Sequence, residues 1–330
     1  MENIKKIILW TLGTVFIAVA VFGIMWGITS LSTMLKPSNE SVEFPDLSKN
    51  IQAITNIKND IKDKVSTDTE KDENGNTNIL LVGISGEDYI SGNLADTIIL
   101  TTLNRENNKA NMFSIPRDLW VKDPDGNFQK INEFYKIGGG TEEPDIKASG
   151  PIIQKVEEVT GQKIHYTAIV SLSGIEKFVD IIGGIETEEG KVNGEQALMY
   201  IRDRSKPGGD FDRMARQQKL LMDIFDKIEE EPIIDSENPE EVLGILTTLS
   251  GYFDTNIGIA KMITLDEDIR NLDTEDVGLY TITPAQDNLL YSDYTDLNGQ
   301  EIYTLHPTAG YEDYSEIHDF IANIVTNSKE

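Results

Sequence analysis

Hydrophobic and polar positions divide the chain into a few distinct regimes. From Ile7 to Leu35 no residue is charged, and Ile, Leu, Val, Phe and Trp dominate. A helix of that length crosses the ~30 Å of a bilayer's hydrocarbon core. Lys5 and Lys6 precede it, so residues 1–6 read as a cytoplasmic tail and residues 7–35 as one transmembrane helix. The competing reading, a cleaved signal peptide, is weakened by the length of the apolar run and by the lack of a clear small-residue cleavage site. Residues 36–77 then read as an extracytoplasmic stalk. Pro37 and Pro45 break structure, Ile51, Ile54, Ile57, Ile61 and Val65 recur at helical spacing, and Asn74-Gly75 marks a turn.

Beyond residue 78 the period shortens. Ile79–Gly83, Thr97–Leu103 and Ala110–Ile115 are short apolar runs rich in β-branched residues, predicting three strands. The last two are joined by the polar link Asn104–Lys109. A helix is predicted from Pro151 to Val159, stopped by Gly161. Thr167–Leu172 predicts a strand, followed by a helix to Ile182 that Gly183-Gly184 ends. Gly194–Arg202 and Arg213–Glu230 predict two more helices, and Val277–Ile282 a late strand. Strands alternating with helices, plus a hairpin, imply an α/β fold with a mixed sheet. Residues 78–330 are taken as one domain.

Composition narrows the function. The chain has 330 residues and a formal charge of −28. It has no basic face for nucleic acid, so a nucleic-acid partner is not expected. Cysteine is absent, which removes disulfides, zinc–thiolate sites and cysteine nucleophiles. Against twenty-two lysines stand seven arginines, and five of these fall in two short segments: Arg117, then Arg202, Arg204, Arg213 and Arg216. Guanidinium is a planar fork of donors that matches phosphate or carboxylate oxygens in pairs. Such clustering in an acidic chain points to an anion grip, with Arg213 and Gln217 four apart on one helix face. Asp96, opening a strand, is a carboxylate placed to hold a cation that offsets excess phosphate charge. Each feature also has a structural reading. Arg202 at a helix end complements the helix dipole for about 0.3–1 kcal/mol, Arg213 and Arg216 have Asp210, Asp212 and Asp223 within reach, and His165 reads as structural.

An ordered set of segments resembles the LytR–CpsA–Psr (LCP) family of cell-wall glycopolymer ligases. The matches are Asn78–Gly83, Asp96-Thr97, Ser114–Asp118, Lys130–Asn132 with the glycines that follow, Asn193–Leu198, Arg202–Arg204 and Asp210–Gln218, over a motif core of 78–225. The resemblance implies an α/β/α sandwich with a mixed central sheet, preceded by one N-terminal transmembrane helix and held outside the membrane. It implies a narrow apolar cavity for the polyprenyl tail of a lipid-linked polymer. At its mouth Arg117, Arg202, Arg204, Arg213 and Gln217 would bind pyrophosphate, Asp96 would bind Mg2+ (or Mn2+), and Asp96, Arg117 and Arg202 would be catalytic. The implied reaction transfers a polyprenyl-pyrophosphate-linked glycopolymer, such as teichoic acid or capsule, to peptidoglycan and releases polyprenyl phosphate. The implied location is the cell membrane, single-pass. One position departs: where the family carries Gly-x-Asp after the first strand, this chain reads Gly83-Ile84-Ser85, leaving Ser85 or Asp88 as further metal ligands. Alternatives are a non-catalytic polyprenyl-phosphate binder or scaffold of the wall machinery, a hydrolase of the pyrophosphate lipid, and a transcriptional attenuator, the last disfavoured by the anchor and the acidic charge.

Overall fold

A computed structural model describes residues 69–327, except 87–92, 188–189, 204–208, 231–247, 250, 259–260, 262–264, 266–271, 273–275 and 298. The predicted membrane span at 7–35, the stalk helix, Asp88 and Arg204 therefore lie outside the described residues. Among the described residues no helix is long and apolar enough to cross a membrane. The chain divides into two compact units. One takes Met1–Thr69, Phe225–Ser250 and Ile257–Asn271, and few of its residues are described; Ile257 and Leu265 are among its buried side chains. The other takes Glu70–Ile224, Gly251–Asn256 and Leu272–Glu330, and everything below belongs to it except residues 225–230 at the end of one helix.

Its centre is a six-stranded sheet built from β1 (Asn76–Ile84), β2 (Ala95–Asn104), β3 (Lys109–Ser114), β6 (Tyr166–Ser171), β9 (Phe253–Thr255) and β10 (Val277–Thr281), in the order β10-β3-β2-β1-β6-β9. The pairs β1–β2, β2–β3 and β6–β9 are antiparallel, while β1–β6 and β3–β10 are parallel, so the sheet is mixed as expected. The polar link between β2 and β3 closes as a tight hairpin. Asn104 Oδ1 accepts from the N–H groups of Glu106 and Asn107 at 3.0 and 3.4 Å, and Asn108 takes a left-handed φ of 50°.

Period-two alternation sends Leu80, Val82 and Ile84 to one face of β1, where they meet Ile98, Leu100 and Phe113 in the buried cluster. Helix α2 (Gly150–Thr160) covers this cluster with Ile152, Val156 and Val159, and α6 (Ser315–Asn327) adds Ile317, Ile321 and Val325. Both sets repeat at helical spacing, so each helix offers the sheet one apolar stripe. Helix α1 (Phe134–Ile137) contributes Phe134, next to Tyr135, and the glycines after it are needed for close packing. A Cβ on Gly138 would lie 1.9 Å from the carbonyl oxygen of Ala148.

Helix α3 (Leu172–Ile181) starts on Ser171, whose hydroxyl accepts from Gly174 N–H at 3.2 Å. Helix α4 (Gly194–Arg202) starts on a reciprocal capping box of Asn193 and Gln196. That pair satisfies two orphan donors at the helix start, so the Asn193–Gln196 motif has a local structural job. Helix α5 (Gly209–Glu230) begins four residues before the predicted Arg213. Three two-stranded hairpins escape the sequence reading: β4 (Trp120–Lys122) with β5 (Phe128–Lys130), β7 (Ile185–Thr187) with β8 (Gly190–Val192), and β11 (Leu290–Leu297) with β12 (Gln300–Pro307). Their strands are short or polar and carry no apolar run to mark them.

Candidate functional site

The site grows from a fault in the β1–β2 ladder. Gly83 pairs with Thr97, but the next residue, Ile84, pairs with Ala95, so Asp96 is the extra residue of a β-bulge. A bulge re-aims a side chain and leaves backbone polar groups out of the ladder. Both consequences are visible here. The freed Asp96 carbonyl accepts from Arg213 Nη1 at 3.1 Å. Its carboxylate receives the Ser85 hydroxyl on Oδ2 and Arg117 Nη1 on Oδ1. Gly83 permits the arrangement, because a Cβ there would come within 2.8 Å of Thr97 Cβ.

Arg117 sits where the chain leaves β3 through Ile115-Pro116. Its neighbourhood is clamped by backbone bonds: Asn132 N–H donates to Arg117 O at 3.3 Å, Ile131 N–H to Leu119 O at 2.9 Å and Leu305 N–H to Asp118 O at 3.0 Å. Three carboxylates surround its guanidinium: Asp96, with Asp210 at 3.7 Å and Asp118 at 3.8 Å from Nε. Burial acts to lower the Arg117 pKa, and the fields of Asp96, Asp210 and Asp118 outweigh it, so the group is held above its ordinary value and stays charged. Its Nε is buried without a hydrogen-bond partner among the described residues.

Arg213 is 3 % exposed, and its fork is committed. Nε and Nη2 hold the two Asp210 oxygens at 3.0 Å each, while Nη1 holds the Asp96 carbonyl. Lys130 Nζ lies 2.5 Å from Asp118 Oδ1. These groups wall a cavity of about 850 Å3, together with Ser85, Gln129, Asn132, Glu133 and Arg202 and the apolar side chains Leu94, Trp120, Leu172, Leu297 and Ile302. Arg117, Lys130, Arg202 and Arg213 there balance Asp96, Asp118, Glu133 and the adjoining Asp210. The cavity wall is thus locally neutral in a chain of charge −28.

The structure therefore brings together Asp96, Arg117, Arg202, Arg213 and Ser85. Gln217 is buried and does not line the cavity. Arg216 turns to the end of α4, donating from Nε to Tyr200 O at 2.9 Å and from Nη2 to Asp203 O, with its guanidinium 5.7 Å from the Tyr200 ring centre. It caps a helix. Asp118, Lys130 and Asp210, which no sequence signal singles out as site residues, stand at or beside the cavity. Their only cue was proximity to Arg117 and Arg213 in the ordered motifs. His165 is structural: its Nδ1 accepts from Asn78 N–H at 2.9 Å, and burial first, then Lys163, lowers its pKa.

Oxygen donors suited to a hard cation exist on this wall, in the Asp96 carboxylate and the Ser85 hydroxyl bonded to it. Among the described residues no group of three or more His, Cys, Asp or Glu side chains assembles a metal cage. Magnesium characteristically keeps several waters and uses one or two protein carboxylates beside substrate phosphates, so this sparse oxygen set fits it.

A model of the LytR_cpsA_psr family matches residues 47–190 and 186–308. The chain belongs to this family. Among its relatives are proteins named polyisoprenyl-teichoic acid–peptidoglycan teichoic acid transferase TagU. That of Oceanobacillus iheyensis is 33 % identical over 162 residues, covering 44 % of this chain and 49 % of that protein. That of Bacillus subtilis strain 168 is 31 % identical over 166 residues, covering 45 % and 51 %. The match thus spans about half the length of these two relatives. A longer match, to TagU of Bacillus cereus strain ATCC 14579, is 26 % identical over 284 residues, 81 % of this chain and 84 % of that one. Among solved structures, Bacillus subtilis TagV superposes with a TM-score of 0.56 at 23 % identity, covering 77 % of this chain and 99 % of that one. A structure described as TagT bound to LIIa-WTA gives a TM-score of 0.54 at 20 % identity, with 80 % and 95 % covered. At these identities the likeness is one of fold, and the mixed α/β architecture is shared.

Proposed function

We propose that this chain is a membrane-anchored phosphotransferase that moves a polyprenyl-pyrophosphate-linked glycopolymer onto peptidoglycan. The observation that carries the reading is the convergence of Arg117, Arg202 and Arg213 with Asp96 on one cavity. The names of the TagU relatives support the transferase class and its teichoic acid and peptidoglycan substrates. Residues 7–35 would keep the site beside its lipid-linked donor, with the domain outside the cell.

In the proposed step, an acceptor hydroxyl oxygen attacks the phosphorus nearest the sugar. The bond from that phosphorus to the bridging oxygen breaks, polyprenyl phosphate leaves with the electron pair, and the hydroxyl proton is released. Phosphoryl transfer depends on positioning and charge neutralisation more than on covalent help. Arg117 and Arg202 bind the phosphate oxygens, and Arg213 positions Asp96 and Asp210 around them. Asp96, with Ser85, would hold magnesium or manganese, which supplies neutralisation of phosphate charge when bound. A second reading, a polyprenyl-phosphate binder without turnover, draws on Ser85, which leaves that metal half with a single carboxylate.

The test is transfer from a short-chain lipid-pyrophosphate-linked sugar to a peptidoglycan oligomer, using the detergent-solubilised full chain with Mg2+. Arg117→Ala is expected to lose on the order of 10³-fold in rate, and Arg202→Ala to lose activity in the same direction. Equal product from wild type and both variants would remove the phosphate grip. Donor binding without product from wild type would leave the binder.

A further inference from the structure

Aromatic side chains outside the core cluster on one part of the surface. Seven large apolar side chains are exposed among the described residues, and four of them, Tyr291, Tyr294, Leu297 and Tyr311, lie on β11 or just past β12. Nearly every residue of β11 is exposed, while β12 is buried from Thr304 to Pro307, so the hairpin packs on the body through β12 and presents β11 outward. Its base is tied down where Leu119 bridges Leu305, beside Arg117-Asp118.

The rings form a chain of contacts outward from the cavity, in which Trp120 and His306 are buried, Phe128 is half-buried, and Tyr291 and Tyr311 are exposed. Trp120, on the cavity wall, stacks on Phe128 with centroids 6.4 Å apart. Phe128 meets Tyr311 edge-on at 5.9 Å, and Tyr311 meets His306 at 5.3 Å. His306 then stacks on its cross-strand partner Tyr291 at 5.2 Å. Leu297 is six residues from Tyr291, so both lie on one hairpin face, and Leu297 lines the cavity. Tyr294 is three residues from Tyr291 and lies on the opposite face.

Polar groups sit where this path enters the cavity. Gln129 lines it, and so does Asn132, whose Oδ1 is buried without a hydrogen-bond partner among the described residues. Flat apolar faces that carry hydroxyl handles, ending on amide groups, match a sugar chain, which offers C–H faces to rings and hydroxyl edges to amides. Charge selects the kind of sugar. Lys122 over the Phe128 ring is neutralised by Glu312 at 2.5 Å, and Asp293 lies two residues from Tyr291 on the same hairpin face, so an anionic polymer would be repelled.

We propose that the exposed rings of this chain, Tyr291 and Tyr311, backed by the buried Trp120 and His306, are the docking surface for an uncharged glycan, the acceptor strand, which they hold beside the cavity. The identification of that glycan as the acceptor rests on the transferase reading; the binding itself does not.

The test is titration of the detergent-solubilised full chain with neutral N-acetylglucosamine oligomers and, separately, with anionic poly(glycerol phosphate), read by intrinsic fluorescence and calorimetry. Tyr291→Ala and Tyr311→Ala should each weaken the neutral oligomer about three- to tenfold, the size of a lost ring contact. Tyr311→Phe should keep the affinity, and Tyr294→Ala, on the opposite face, should be silent. All these side chains are exposed, so a melting curve for each variant confirms an intact fold. Equal affinity for the neutral oligomer across the variants, or a loss of anionic-polymer affinity instead of oligomer affinity in Tyr291→Ala and Tyr311→Ala, would overturn the proposal. Arg117→Ala separates the two claims, because it should abolish transfer and leave oligomer affinity unchanged. Loss of oligomer binding in Arg117→Ala with no effect of Tyr311→Ala would place the glycan elsewhere.

Discussion

Arg213 and Arg202 line the same cavity but should fail in opposite ways when truncated. Arg213 is 3 % exposed and makes three donor contacts, two to Asp210 and one to the carbonyl of the Asp96 bulge. Arg213→Ala strands both partners. An orphaned buried carbonyl costs about 1–3 kcal/mol. A fully buried carboxylate stripped of its partner costs about 3–5 kcal/mol, but Asp210 is 21 % exposed and keeps Arg117 at 3.7 Å, so water and that neighbour absorb most of it. A combined loss of about 2–4 kcal/mol follows. For a domain of this size each kcal/mol lowers the melting temperature by about 2–4 °C, so Arg213→Ala should melt about 5–15 °C below wild type. Arg202 is exposed at the end of α4, and its truncation should stay within about 0.5 kcal/mol of wild type in stability while reducing transfer. Thermal melts followed by near-ultraviolet dichroism, paired with the transfer assay, separate the two. The reasoning fails if Arg213→Ala melts with wild type, or if Arg202→Ala is the destabilised variant.

Ser85→Asp would place a second carboxylate against Asp96, on a wall where Ser85 is buried. It should lower the melting temperature without metal and enlarge the upward shift on adding Mg2+, since a tighter ligand stabilises by mass action; no larger shift than wild type would contradict the placement of the cation. His165 gives a pH dependence. Its folded pKa lies below the ordinary 6.5, so as pH falls through 6.5 the unfolded chain binds the proton first and stability declines until the lower folded value is passed. His165→Asn keeps an acceptor for the Asn78 N–H without titrating, and should flatten the decline of the melting temperature as pH falls below 6.5; an unchanged slope would assign the acid sensitivity to other groups.

Local pattern made much of the sheet legible. Apolar runs with β-branched residues identify β1, β2, β3, β6 and β10, and glycine and asparagine stops delimit α2, α3 and α4, because such signals act over a few neighbouring residues. The ordered motifs placed the family and the charged groups Asp96, Arg117, Asp118, Lys130, Arg202 and Arg213 of the cavity wall. The arginine cluster was legible as a cluster but not as a division of labour: Arg202 and Arg213 reach the cavity, while Arg216 caps α4. Helical spacing does not reveal which partner each guanidinium meets.

By itself, then, the sequence determined the alternating strands and helices, the family, and the concentration of guanidinium beside carboxylates at Arg117 and Arg213. Tertiary structure alone decided that Asp96 is a bulge residue, because ladder register is a property of two strands whose pairing a single strand does not encode. It also decided the aromatic path, whose rings come from positions 120, 128, 291, 306 and 311. No periodicity links residues so far apart. They meet because β12 bridges to Leu119 through Leu305, which brings the β11–β12 hairpin to the cavity wall at Leu297 and Ile302.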